Sequence, residues 1–251
     1  MESNEIISPK VGRCDREINC AYHYTPKAYF KDNNLEHKNL TIRASIPSKQ
    51  TQISFHSNDD LQETLTHYSQ NNFIQFLLSK FEKSDVIKMT EDYNIGTAFY
   101  WNYGTVFWQV DSQNMIRGGK IIIYNPTGKR TKYINWIHSI QIKQGEITDF
   151  NLNQCFFGEH LLTQNNKTIA IVESEKTACT MSLLFNKYLW LAAGSLNGIS
   201  QSKMEVLKNK KIILYPDLGI IGKNGSPFTI WESKCHYLKK LGFDIEISDL
   251  L

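Results

Sequence analysis

The chain has 251 residues, enough for one large domain or two small ones, and its 41% hydrophobic and 21% charged content is that of an ordinary globular protein. A net charge of +3 and a pI near 8.4 are too mild to identify a partner. No apolar run approaches the roughly 20 residues of a membrane span, the polar start Met1-Glu2-Ser3-Asn4-Glu5 is unlike a signal peptide, and five scattered cysteines argue against a disulfide framework. Cytoplasm is the expected location, without a membrane partner.

In residues 1–30, Cys14 and Cys20 are separated by five residues and His23 follows three further on. Thiolate and imidazole are zinc ligands, but a structural site usually takes four. The alternative is two reduced cysteines in a tight loop. His37 is a distant fourth candidate. Residues 31–58 are polar and read as a linker with at most one short strand. Asn58-Asp59-Asp60 resembles a helix start, and Leu61, Leu65, Tyr68, Phe76 and Leu77 recur near helical spacing. One amphipathic helix is expected over 61–82, serving packing.

From Thr97 to Tyr124 the texture becomes β-rich. Phe99-Tyr100-Trp101 precedes a turn at Asn102-Tyr103-Gly104, then come Val106–Val110, a turn at Asp111–Asn114, and Gly118–Tyr124. Asn125-Pro126-Thr127-Gly128 is suited to a hairpin turn, so an antiparallel meander is expected. Between Asp111 and Glu146 there is no acidic residue, while Arg117, Lys120, Lys129, Arg130, Lys132 and Lys143 lie there with Tyr124, Tyr133 and Trp136 among them. Cations for phosphates beside rings for bases are what single-strand binding requires. A solvated basic face with core aromatics is the plainer alternative.

Cys155 and His160 would make half a metal site, and a packed linker is the expectation there. Afterwards strand and helix alternate: strands at 168–173, 188–193, 211–217 and 243–247, helices at about 175–186, 200–209 and 231–241. Repeated βα units of this length predict a parallel sheet covered by helices. Strands 168–173 and 211–217 end in Glu173 and Asp217, and ligands gather beyond the carboxyl ends of parallel strands. Two acids at one edge suit a divalent cation or a phosphoryl-transfer site. The plainer reading makes each acid a helix cap or first-turn residue. Glu175 is expected on the first helical turn, favoured by the dipole and of modest effect when replaced. The glycine-rich turns Gly194–Gly198 and Gly219–Gly225 follow strands, where backbone amides can face an anion. Gly219-Ile220-Ile221-Gly222-Lys223 is too short for a P-loop.

Val172-Glu173-Ser174-Glu175-Lys176-Thr177-Ala178 resembles the V-E-G-E-K-x-A signature of Toprim domains, shared by topoisomerases and bacterial primases. Leu214-Tyr215-Pro216-Asp217 resembles that family's second acidic strand end. Ser174 replaces the usual glycine, and Asp217-Leu218-Gly219 stands where the family carries Asp-x-Asp. The cysteine segment resembles the second half of the zinc ribbon preceding primase-type Toprim proteins, with Asn4–Lys10 in place of the first Cys-x-x-Cys pair. The basic meander is similar to the β-rich segment between those parts. The whole resembles an uncharacterised bacterial primase-like family from mobile elements and phages.

The resemblance implies three parts: a partial zinc-ribbon-like segment at 1–30, a helix plus β-rich α+β module at 31–150, and an α/β Toprim-like, Rossmann-type domain at 151–251. It implies a nucleic-acid-binding protein of DNA replication or mobile-element transfer. Its candidate chemistry is magnesium- or manganese-dependent phosphoryl transfer, as in a primase-like nucleotidyltransferase. Glu173 would be the general acid or base and a metal ligand, Asp217 the magnesium ligand, and Lys176 a neighbour of the phosphate. Cys14, Cys20 and His23 would be the remnant zinc set. Arg117, Lys120, Lys129, Arg130, Lys132 and Trp136 would meet single-stranded DNA, with a replicative helicase as a further partner. The alternatives are a non-catalytic single-stranded DNA-binding accessory and a Toprim nuclease. Primase-type relatives usually continue after the fourth strand, so a C-terminal element is expected to be missing. Oligomeric state is not legible.

Overall fold

The β-rich stretch with its turns in the middle of the chain and the continuous apolar runs in its last third become two separate four-stranded sheets. The computed structural model describes residues 8–13, 23–33, 52–100, 102–219 and 225–248. It divides into two units, Met1–Thr51 and Gln52–Leu251. In the first, β1 (Gly12–Arg13) pairs antiparallel with β2 (His23–Tyr24). Helix α1 (Pro26–Asp32) follows, started by Thr25, whose hydroxyl accepts the Ala28 N–H at 3.1 Å, and by Pro26 in the first turn. This helix falls inside the segment expected to be ribbon and linker. Cys14, Cys20, the His23 side chain, His37 and most of the expected linker lie outside the described residues.

The second unit begins differently from expectation. The single helix over 61–82 is instead α2 (Asn58–Gln62), a 3₁₀ turn at Tyr68–Gln70 and α3 (Asn72–Leu78), with α4 (Lys83–Asp92) beyond. Asn71 causes the main break. Its carboxamide oxygen caps α3 by accepting the Phe73 N–H at 3.1 Å, and takes the Thr105 hydroxyl at 2.8 Å. Its amide nitrogen donates to Gly96 O and Thr97 Oγ1 at 3.2 and 3.0 Å. A fully buried amide so completely satisfied anchors the helix start to the sheet below.

That sheet is antiparallel, in the order β3 (Ile95–Ala98), β4 (Gly104–Val110), β5 (Ile116–Tyr124), β6 (Arg130–Trp136). The first strand lies earlier than Phe99–Trp101, because Asn102 and Tyr103 take left-handed φ values of 55° and 65° and the turn starts sooner. The β5–β6 turn forms as expected: Asn125 Oδ1 accepts the N–H groups of Thr127 and Lys129 at 3.1 and 2.8 Å. Helix α5 (Ile137–Gln144) follows β6, where the sequence pattern predicts none.

The other sheet is parallel, in the order β10-β9-β7-β8, with β7 (Ile169–Val172), β8 (Leu189–Ala192), β9 (Ile212–Leu214) and β10 (Ile245–Ile247). Each connection carries helix: α6 (Glu175–Leu184), then α7 (Gln201–Met204) running into a 3₁₀ turn where one helix was expected, then α8 (Pro227–Lys240). Successive side chains of β7 point to opposite faces. Ile169 and Ile171 join Trp231 and Leu238 of α8 on one face. Ala170 and Val172 join Ala178 and Cys179 of α6 on the other, together with Phe107, Ile122 and Tyr124 of the antiparallel sheet and Phe73 and Leu77 of α3. Both sheets therefore share one core. Among the described residues no helix is long and apolar enough to cross a membrane.

Candidate functional site

Strand β7 is hydrogen-bonded to β8 on one side and β9 on the other, with Ile169 opposite Ile212 and Ile171 opposite Leu214. The parallel ladder continues as Tyr215 N–H donates to Ile171 O at 2.8 Å. This register carries Glu173 and Asp217 to the same sheet edge, where the Asp217 N–H donates to Glu173 Oε1 at 3.3 Å. Glu173 is half-buried and Asp217 exposed. Burial pushes the Glu173 carboxyl above its usual range, and the charge of Asp217 pushes it further, against the Asp217 N–H and Lys234. Burial also raises Asp217, with Arg130 opposing. Two carboxylates placed so that one discourages the other's ionisation form a pair that a cation relieves.

The donor set fits magnesium of the kind held by one or two carboxylates plus substrate phosphates and water. It does not make an all-protein cage: among the described residues no group of three or more His, Cys, Asp or Glu gathers for a metal. Gly219, in the position of the absent aspartate, offers no side-chain oxygen, and a Cβ there would meet Pro227 at 2.5 Å.

Lys176 is near this edge but already engaged. Its amine donates to the Gly128 carbonyl and lies 5.1 Å over the Phe76 ring and 5.8 Å over Tyr124. Burial lowers its pKa. Gly128 has φ of 73°, and a Cβ there would sit 2.5 Å from the Phe76 ring, so the tip of the β5–β6 hairpin is wedged against α3 and fastened to α6. The hairpin is thereby brought to the acidic edge, close enough for Arg130 to act on Asp217.

Ser174 caps α6 by accepting the Thr177 N–H at 3.1 Å. Glu175 opens this helix in the first turn, as expected, but it is also the buried half of an ion pair. It is 1% exposed, and Lys120 of β5 places its amine 2.9 and 3.3 Å from the two carboxylate oxygens and 3.1 Å from Gly194 O.

The expected nucleic-acid residues fall into two groups. Lys129, Arg130 and Lys132 are exposed along the hairpin and β6, with the Lys132 amine 5.4 Å over Tyr133. Lys120 is committed to Glu175, and Arg117 holds Asp111 Oδ2 through Nε at 2.6 Å. Trp136 is half-buried against Gly118, where an added Cβ would meet its ring at 3.2 Å. Cys155 is buried, and His160 contacts Asp92 O at 2.8 Å. Sequence reading passed over Lys234, which sits in an amphipathic helix with nothing local to mark it. It donates to Leu196 O at 3.3 Å and its charge offsets that of Glu173.

A family model described as a domain of unknown function (DUF6371) matches residues 71–218, and a zinc beta-ribbon finger model matches residues 1–35. No curated protein matches the chain. Among solved structures, the primase fragment of the bacteriophage T7 primase-helicase protein is similar at 15% identity with a TM-score of 0.41. The match covers 65% of this chain and 61% of that one, so the chain spans about three-fifths of the fragment.

Proposed function

The chain belongs to the family described as a domain of unknown function (DUF6371), and from its acidic edge we propose a primase-related, nucleic-acid-binding protein capable of metal-dependent phosphoryl transfer. The carrying observation is the shared edge: adjacent parallel strands lead into Glu173, directly after β7, and Asp217, three residues past β9, joined by the 3.3 Å contact from the Asp217 amide. The Toprim-like motif around Glu173 supports the same reading. So does the basic hairpin fastened beside it, which supplies Lys129, Arg130 and Lys132 to a phosphate backbone. Single-stranded DNA is the proposed ligand and a replicative helicase a proposed partner.

Magnesium, when bound, would polarise a phosphoryl oxygen. Asp217 and Glu173 are the residues to hold it. Glu173, with its raised pKa, is suited to accept the proton of an attacking hydroxyl. Lys176 contributes by fixing the hairpin beside the site.

A non-catalytic single-stranded DNA-binding accessory is the second reading, favoured by Gly219 in place of an acid and by Lys176 spent on Gly128. A Toprim nuclease, using the same acids with water as nucleophile, is the third. The test supplies the full chain with single-stranded DNA, labelled ribonucleotides and a magnesium or manganese titration, following binding and product together. Template-dependent primers lost in Glu173→Gln support the first reading. Binding without product supports the second, and cleavage without nucleotides the third.

A further inference from the structure

The glycine-rich turn after β8 borders a second cleft, of about 440 Å³, whose wall includes Arg117, Gln154, Glu159, Ser195, Asn197 and Lys203. That volume is within the range of small-ligand pockets. Lys203 enters it from α7. Its amine donates one hydrogen bond, to Ala193 O at 3.0 Å, and lies 4.6 Å over the Phe156 ring. It makes no ion pair among the described residues. Arg117 meets Asp111 through Nε alone, which leaves both terminal nitrogens without a hydrogen bond to another described residue.

The turn itself has spare donors. Gly194 and Gly198 donate to Glu173 O and Ser195 O, both at 2.9 Å, whereas the N–H groups of Ser195, Leu196 and Asn197 between them bond to no described residue. Gly194 has φ of 86°, and a Cβ on Gly198 would collide with the Ala193 carbonyl, so the turn depends on both glycines. Glu159 is the one carboxylate in the wall. Its oxygens are turned onto the N–H groups of Ser112 and Phe156, at 3.3 and 3.0 Å.

We propose that this cleft is a phosphate-binding site formed by Lys203, Arg117 and the Gly194–Gly198 turn. Lys203, which has no ion pair among the described residues, and the terminal nitrogens that Arg117 keeps free of Asp111, beside the unspent amides of Ser195 and Asn197 in the wall, match the chemistry of a tetrahedral oxyanion. The site does not depend on phosphoryl transfer at Glu173. Burial lowers the Lys203 pKa to about 8, so an anion arriving there meets an amine that gains by its company. The phosphate belongs either to a free nucleotide or to the end of a nucleic-acid strand.

Calorimetry on the full chain with tripolyphosphate, ATP, adenosine, and a single strand with and without a 5′-phosphate tests this. Tripolyphosphate and ATP should bind, or the 5′-phosphorylated strand should bind more tightly than its unphosphorylated counterpart, while adenosine should not bind. The first result identifies a nucleotide site and the second a strand-end site. Lys203→Met should weaken binding about tenfold, as expected for one charge-assisted hydrogen bond. Asn197→Asp, at an exposed position that leaves the fold alone, should do the same by repulsion. Absence of phosphate-dependent binding overturns the proposal, as does parent-like binding in both cleft variants with unchanged melting.

Discussion

The Lys120 amine lies 2.9 Å from Glu175 Oε1 in a pair whose side chains are 12% and 1% exposed. It joins the antiparallel sheet to the first turn of α6, beside Lys176, which fastens the hairpin tip to the same helix. Breaking a buried pair by removing one partner leaves an uncompensated charge and costs about 3–5 kcal/mol. Lys120→Met should therefore lower stability by that order in chemical denaturation, and Lys120→Met with Glu175→Met should recover most of it. A single-variant loss under about 1 kcal/mol would show that the pair does not hold the sheets together.

The hairpin and Trp136 make separable predictions. Replacing Lys129, Arg130 and Lys132 by glutamine removes three exposed charges, so the salt dependence of single-stranded DNA binding should flatten by about two to three units of slope. Melting should stay unchanged. Trp136→Ala should lose thermal stability as well as affinity, because its ring covers Gly118. Parent-like binding by the triple variant would reduce the band to a solvated face.

Legibility followed the range of the interactions. Strands β7 and β9 announce themselves because a buried parallel strand is a continuous apolar run, and the acids at their ends inherit the register. The break at Asn71 is not visible locally, since its partners Gly96, Thr97 and Thr105 are more than twenty residues away. The same holds for Glu175. Nothing in its neighbours announces a lysine 55 residues earlier, and a first-turn glutamate looks like a dipole residue until the sheet arrives. Lys120 and Arg117 joined the basic band in sequence because net charge counts cations without their partners.

His56 supplies a pH prediction. It is buried against Phe150 and Trp108, at ring separations of 4.6 and 5.3 Å, with His138 at 6.2 Å. Burial lowers its pKa from 6.5 to about 4, with His138 adding to the shift and Asp60, whose Oδ2 is 3.7 Å away, opposing it. The unfolded chain takes up the proton first as pH falls. The resulting stability is present above about pH 6.5 and lost progressively toward pH 4, by no more than about 3 kcal/mol. Urea midpoints across this window should fall in the parent and fall less in His56→Phe. Equal profiles would exclude His56 as the sensor.

Glu173 carries the opposite sign. Its carboxyl is raised in the fold by burial and by Asp217, so the folded state holds its proton longer than the unfolded one. The stabilisation is fully present below the unfolded pKa and is lost as pH rises through the folded value. Near neutral pH the ionised side chain is thus a strain, and Glu173→Gln should melt higher than the parent at pH 7 and no higher in strong acid. Asp217→Asn separates charge from geometry, since the backbone N–H that donates to Glu173 remains while the repelling carboxylate goes. Glu173 should then titrate lower, and in Lys234→Met it should titrate higher. Carboxyl-carbon NMR of the parent and both variants measures this directly, and added magnesium should lower the parent's Glu173 pKa as Asp217→Asn does. An unshifted Glu173 in Asp217→Asn would mean that the two carboxylates do not act on one another, and the proposed metal edge would fall with them.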